Sequence, residues 1–402
     1  MPSSVTQSTQ AINEGEAIIE DLVAALRLND SDKVEHLLQL ATKLKSNKSP
    51  SQPNSQKVTK QSSRKQVQDY IARKPVKLVP GEFDLSKICN SKEERVVDLD
   101  WQRLIARERW IQEYDQIKGL KVLCHKDYEV VTERGQAICI GKGTCGELIL
   151  ARELSTNKLV TIKVVSEGLE DLLFEFTLQA KAHDLLGKYS AKFIGFLQKK
   201  DRGKNGEIAY MPVMEFYPVT GDAKVSLTFD EALMQHCEGN RMITGDEWIA
   251  ICMTLLESAR TLNAHNIYHI DLSDYNVLLT FDERNQVSPI IIDYGMSRNG
   301  ARGMKSHQVG HKSIFLPNPC AAIMFPHSAP ELFEQNYPTP TTDLFTVVYC
   351  MSRVSRFVFG CVMFQERVGY AYEVPPHERP LYHDLKRRII AQFEKLATRI
   401  RR

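Results

Sequence analysis

Two short stretches constrain this chain more than the rest of it. His269-Ile-Asp-Leu-Ser-Asp-Tyr-Asn276 sets an acid, Asp271, five positions ahead of an amide, Asn276, and Asp293-Tyr-Gly295 follows after a short apolar run. Leu278, Leu279 and Ile290 to Ile292 read as short buried strands flanking the two acids. Acids and amides are expensive to hold beside apolar strands without partners, so their pairing here points to chemistry.

The spacing suits phosphoryl transfer, which asks a protein mainly to hold metal-bound phosphates in line with a nucleophile and to neutralise developing charge. Asp271 would accept the proton of an acceptor hydroxyl. Asn276 would turn back to hold one Mg²⁺, and Asp293 would hold the ion bridging the phosphates. In these motifs the sequence resembles the protein-kinase superfamily, whose catalytic-loop and metal-loop residues fall at Asp271, Asn276 and Asp293. The resemblance implies an α+β, bilobal fold: a five-stranded antiparallel small lobe with one helix, and a mainly helical large lobe. It also implies Mg·ATP as cofactor and a protein substrate.

The upstream half of such a site is present as well. Gly141-Lys-Gly143-Thr-Cys-Gly146 is followed by Glu-Leu-Ile-Leu-Ala-Arg, a turn at Ser155-Thr-Asn-Lys158, and Leu159-Val-Thr-Ile-Lys-Val-Val165. In a dinucleotide-binding fold the last glycine opens a helix, whereas this alternation reads as a hairpin. A glycine loop clasped between antiparallel strands resembles the kinase lid over the phosphates. Lys163 stands where the family has the lysine that contacts the α- and β-phosphates. Its orienting carboxylate is assigned to Glu175, at the opening of an amphipathic helix, with Glu170 and Glu167 as alternatives. Met211-Pro-Val-Met-Glu215-Phe-Tyr217 is the expected hinge, with Glu215 in the backbone stretch that would hydrogen-bond adenine.

Downstream, Ser328-Ala-Pro-Glu331 resembles the close of the activation segment, and Thr342-Asp343-Leu-Phe345 the start of the helix that braces the catalytic loop. Arg379 sits where the family pairs an arginine with the Glu331 position, a device of structure rather than of chemistry. There are departures too. Ile270 replaces the arginine expected between His269 and Asp271, which argues against activation by phosphorylation. Ser273 stands where Ser/Thr kinases carry a lysine, and the His-x-Asp-Leu-Ser-x-Tyr-Asn pattern resembles RIO-type kinases. Tyr294, in place of a phenylalanine, brings a hydroxyl that must find a partner.

The boundaries follow from composition. Residues 1–46 read as a helical hairpin that would dock on a partner, on its own copy or on the lobes. Residues 47–91 read as a flexible basic linker, and 92–126 as a helix leading into the small lobe. The kinase-like domain is expected over 127–396, with the small lobe at 127–216 and the large lobe at 217–396. Between 41 and 77 ten Lys/Arg stand against Asp69. The whole chain carries only +2, which argues against nucleic acid as a partner. Nine cysteines without a C-x-x-C pair, no apolar run long enough to span a bilayer and no signal-peptide pattern point to the cytoplasm or nucleus. Two alternatives to an active protein kinase remain. One is a scaffold that binds nucleotide weakly, and the other is a small-molecule phosphotransferase.

Overall fold

The computed structural model describes residues 60–79, 83–90, 121–143, 146–164, 169–202, 208–299, 325–334 and 338–401. Its small lobe is a sheet built on five long strands: β5 (Gln136–Gly143), β6 (Gly146–Glu153), β7 (Leu159–Val164), β8 (Phe193–Arg202) and β9 (Ile208–Glu215). They run in the order β5-β6-β7-β9-β8, every neighbouring pair antiparallel. Both faces are covered at the centre of the sheet, where β6 buries Ile149, Leu150 and Ala151 in succession and β7 buries Val160, Thr161 and Ile162. The β6–β7 turn reverses through Asn157 at φ +59, a left-handed position that an Asn side chain tolerates. One helix, α3 (Leu169–Leu186), packs against this sheet and buries Leu172, Phe176 and Ala182.

The large lobe is mainly helical. Helix α4 (Phe229–Cys237) and helix α5 (Gly245–Ala264) each open on a capping box, Thr228 with Glu231 and Thr244 with Glu247, so their first N–H groups are satisfied locally. Helix α7 (Thr342–Phe359) is buried along most of its length and stops at Gly360, φ +69, where a left-handed residue caps it. Short helices α6 (Glu331–Glu334) and α8 (Phe364–Val368) and the terminal α9 (Tyr382–Arg401) complete the bundle. Trp248 and Phe229 meet edge to face at 5.0 Å in the core. No helix of the described residues is long and apolar enough to cross a membrane.

The described part of the segment expected to be a flexible linker is folded instead. Residues Lys60–Arg73 form α1, Lys77–Leu78 form strand β1, and Leu85–Ile88 form α2. The polar composition hides an apolar face: Val67, Tyr70 and Ile71 recur at helical spacing, and Val67 is 1% exposed. Tyr70 Oη donates to Glu231 Oε2 at 3.1 Å. Lys74 Nζ bonds Glu231 Oε1 at 2.6 Å and the Ser226 carbonyl at 2.7 Å, all in the large lobe. Burial works against the Glu231 carboxylate, but Lys74, the Thr228 N–H and Tyr70 together hold it below its ordinary range. Three residues further on, β1 pairs with β5 of the small lobe, Lys77 opposite Cys139 and Leu78 opposite Ile138. The basic segment is therefore a strap joined to both lobes, and part of its charge is spent on an internal ion pair.

Other boundaries shift in the same sense. The sheet gains short strands before residue 127, because β2 (Val122–Leu123) runs parallel to β8, and it is further edged by β3 (Tyr128–Val130) and β4 (Thr132–Glu133). Residues 121–126 form this strand and the start of a single 3-10 turn, not the end of a helix. Helix α9 runs past 396, with Leu396 still buried. The expected helical hairpin at 1–46 and the helix around 92–118 lie outside the described residues.

Two outcomes follow. Tyr70→Phe combined with Lys74→Ala should lower stability by about 1–3 kcal/mol in denaturant unfolding, since it removes buried or half-buried bonds to a carboxylate; an unfolded linker would give no change. His236, buried in α4, has its ring lowered to about 4 by burial, with Arg241 adding to it. An unfolded histidine takes up its proton near 6.5, so stability should be complete above that pH and fall as pH drops from about 6.5 toward 4. The expected loss at pH 5 is about 2 kcal/mol, and His236→Leu should remove it from unfolding curves compared at pH 7 and pH 5.

Candidate active site

The catalytic-loop residues are brought together by a hairpin. Strands β11 (Val277–Phe281) and β12 (Val287–Ile291) pair antiparallel, Val277 opposite Ile291, and the ladder extends by a bond from Ile292 N to the Asn276 carbonyl. Asn276 and Asp293 thus end up on neighbouring positions across two strands, despite their separation in sequence. Asn276 Nδ2 donates to the Asp271 backbone carbonyl and to Asp271 Oδ2, each at 2.8 Å. That fixes the Asp271 carboxylate and commits the amide nitrogen, which leaves Oδ1 as the remaining polar atom of Asn276. The Asp271 side chain stays about one-third exposed, at 35%, so a substrate can reach it.

Asp293 takes a left-handed backbone, φ +61, and its Oδ1 accepts from Gly295 N at 3.2 Å. A Cβ on Gly295 would lie 3.2 Å from Asp293 Oδ1, a tight contact, and 3.6 Å from Glu175 Oε2, an ordinary one, so Gly295 sits between the two carboxylates. Glu175, buried in the second turn of α3 rather than at its opening, meets Lys163 Nζ with both oxygens, at 2.8 and 2.9 Å. The Lys163 side chain is 12% exposed, and its ammonium also lies 5.6 Å from the Phe176 ring centre. Of the three glutamates considered from sequence, Glu175 is the partner of Lys163.

The glycine hairpin and the hinge frame this group. Gly143 pairs with Gly146 at the end of the β5–β6 ladder, Gly141 faces Leu148, and Lys163 lies opposite Leu148 on the next strand. The ladder shifts register between Cys139 and Gly141, a bulge just before the glycines. Residues 144 and 145 lie outside the described residues. Most of the expected hinge is strand: β9 runs to Glu215, and the turn into the large lobe begins only at Phe216. Glu215 N bonds the Lys192 carbonyl at 3.0 Å.

Beneath the loop lies a residue whose weight the sequence reading understated. Asp343, fully buried on α7, accepts from His269 N at 2.9 Å and from Ile270 N at 2.8 Å. Burial pushes this carboxyl up, while His269 and the two N–H groups pull it down; burial wins. His269 Nε2 lies 3.1 Å from the Ile292 carbonyl, and its ring rests 4.8 Å from that of Tyr294. The Tyr294 hydroxyl finds its partner in Ser190 Oγ at 2.7 Å; burial raises its pKa and the Ser190 bond offsets only part of that rise. In a fully buried pair, Arg379 Nη1 alone donates to both oxygens of Glu331, at 3.0 and 2.9 Å, with the Thr339 and Thr342 hydroxyls donating to Glu331 Oε1.

The donor set suits a hard divalent cation. It offers the Asp293 carboxylate and the Asn276 amide oxygen on neighbouring backbone positions, and oxygen donors of this kind are what magnesium prefers. Among the described residues no group of three His, Cys, Asp or Glu forms a self-sufficient metal site. Ile270 is buried in the core and Ser273 is 2% exposed, so neither offers the cation usual at its place.

A family model for the protein kinase domain matches residues 136–371. Among curated proteins, Misshapen-like kinase 1 of Rattus norvegicus is 28% identical over 183 residues, 45% of this chain and 12% of that protein. Serine/threonine-protein kinase mig-15 of Caenorhabditis elegans is 25% identical over 185 residues, 45% of this chain and 15% of its own length. The similarity therefore spans only a small fraction of these relatives.

Asp343→Asn should cost about 1–3 kcal/mol by thermal or denaturant unfolding, because one of the two backbone N–H groups loses its acceptor in a buried site.

Proposed function

The chain belongs to the protein kinase domain family, and from that premise we propose that it transfers the γ-phosphate of Mg·ATP to a Ser or Thr hydroxyl of a protein substrate. The observation that carries the reading is the convergence of Asp271, Asn276 and Asp293 with the buried pair of Lys163 and Glu175. Asp271 takes the hydroxyl proton as the acceptor oxygen bonds to Pγ and the bond from Pγ to the β-phosphate oxygen breaks. Asn276 and Asp293 hold the magnesium. When bound, the metal neutralises charge on the β- and γ-phosphates. Lys163, oriented by Glu175, meets the α- and β-phosphates, the backbone around Gly141, Gly143 and Gly146 covers them, and the chain at Glu215 holds adenine.

Ser/Thr specificity takes support from the printed name of the nematode relative. None of the described cysteines is joined in a disulfide, which supports a reduced compartment, cytoplasm or nucleus. A second reading, a nucleotide-binding scaffold with little turnover, is favoured by Ile270 and Ser273, which leave the catalytic loop without its usual cations. A small-molecule phosphotransferase fits less well, since the Glu331 and Arg379 pair braces a protein-kinase type of closing segment.

With radiolabelled ATP and Mg²⁺, Asp271→Asn and Asp293→Asn should each reduce transfer by at least about 10²-fold while melting temperatures stay close to wild type. A wild-type rate in the Asp293 variant would end the kinase reading, and Mg·ATP binding without transfer by the unaltered chain would favour the scaffold.

A further inference from the structure

The geometry points to His327 as a positioning residue for Asp271, an inference that rests on the kinase reading above. Its Nε2 lies 3.3 Å from Asp271 Oδ1, on the oxygen that Asn276 leaves alone, since Asn276 Nδ2 takes Oδ2. The carboxylate is therefore approached by one nitrogen on each oxygen. Each carboxylate oxygen still has a second lone-pair direction, so the site keeps an acceptor for the substrate proton.

The histidine is placed by its surroundings. Its side chain is 17% exposed, and its ring lies edge-on to Phe325, 6.4 Å between centres, and tilted against Tyr349 at 6.2 Å. Phe325 in turn stacks on Phe333 of α6 at 6.0 Å, and a turn closes from Ser328 N to the Phe325 carbonyl. The segment just ahead of Ser328-Ala-Pro-Glu331 is thereby anchored from behind while its histidine faces the catalytic loop. Inside that loop Ile270 and Ser273 supply no cation to orient the acid. The His327 ring contacts the acid from outside the loop instead, which ties the orientation of Asp271 to the seating of residues 325–328.

The test uses the full chain with radiolabelled Mg·ATP and dephosphorylated casein, comparing His327→Leu and His327→Gln with wild type. Losing the His327 contact that positions the carboxylate should lower kcat about tenfold in the leucine variant and leave KM for ATP within about twofold. The glutamine variant, which returns an N–H at similar reach, should recover kcat to within about threefold of wild type. The two variants should share one melting temperature, so that a merely structural role would move both alike. Equal kcat in the leucine variant and wild type, or a gain in kcat, overturns the inference alone, the gain showing that His327 obstructs the acceptor. A wild type that binds Mg·ATP without transfer overturns the kinase reading and this inference with it.

Discussion

One buried carboxylate holds the catalytic loop in a shape it would not adopt unaided. Ile270 sits at φ +70, a left-handed conformation that is a genuine outlier for a β-branched side chain and costs on the order of 1–3 kcal/mol. Asp343 offsets this by accepting the N–H groups of His269 and Ile270 together, from a helix that is itself buried on nearly every side. The strained turn delivers Asp271 to the cleft while Ile270 drops into the core. The same anchor reaches outward. The His269 carbonyl accepts from Ser297 Oγ at 3.4 Å, its ring abuts Tyr294, and the Tyr294 hydroxyl ends on Ser190 beside the small lobe.

How much of this could be read from sequence depends on whether a residue's task is local. Asp271, Asn276 and Asp293 were legible because the chemistry fixes both residue type and spacing within one hairpin. Lys163 was legible because it falls near the end of an alternating strand, where the resemblance to kinases implies a phosphate-contacting lysine. Glu175 could be chosen but not secured, since three glutamates lie within reach of one lysine and only the path of α3 decides between them. The helix starts at Leu169 and puts Glu175 on the buried face, with Phe176 behind the lysine. Ser190 as partner of Tyr294 had no signal at all: the two residues are 104 positions apart, and any hydroxyl near the tyrosine would have served.

The strap shows a different blindness. A run of Lys, Gln and Ser reads as solvated chain because average composition dominates, yet α1 needs only Val67, Tyr70 and Ile71 on one face to dock. What makes the docking specific is polar. Glu231 caps its own helix through the Thr228 N–H at 2.9 Å and receives Tyr70 and Lys74 from the strap, so one carboxylate serves two segments far apart in the chain. Net charge counted along the segment cannot show this, because the compensating acid lies in the large lobe. β1 then adds itself to the strand that leads into the glycines, and the hinge residue Phe216 packs with Ile138 beside Val76 and Leu78. The strap lies against the hinge side of the small-lobe sheet.

The charges around the acceptor position explain why the missing lysine matters. Ser273 is buried, and next to it Asp274 shares Arg353 of α7 with Asp230, so that guanidinium is spent beneath the loop on two carboxylates. Lys163 is engaged by both oxygens of Glu175. Neither cation is placed to neutralise charge developing on the transferred group. A fixed cation in a site shielded from water stabilises such charge strongly, and the catalytic loop of this chain carries Ser273 where such a cation would stand. On the proposed reading, that neutralisation would fall on a divalent ion held by Asn276 and Asp293. Turnover in this chain should accordingly depend on metal identity and concentration more steeply than in a kinase that keeps a lysine at the 273 position.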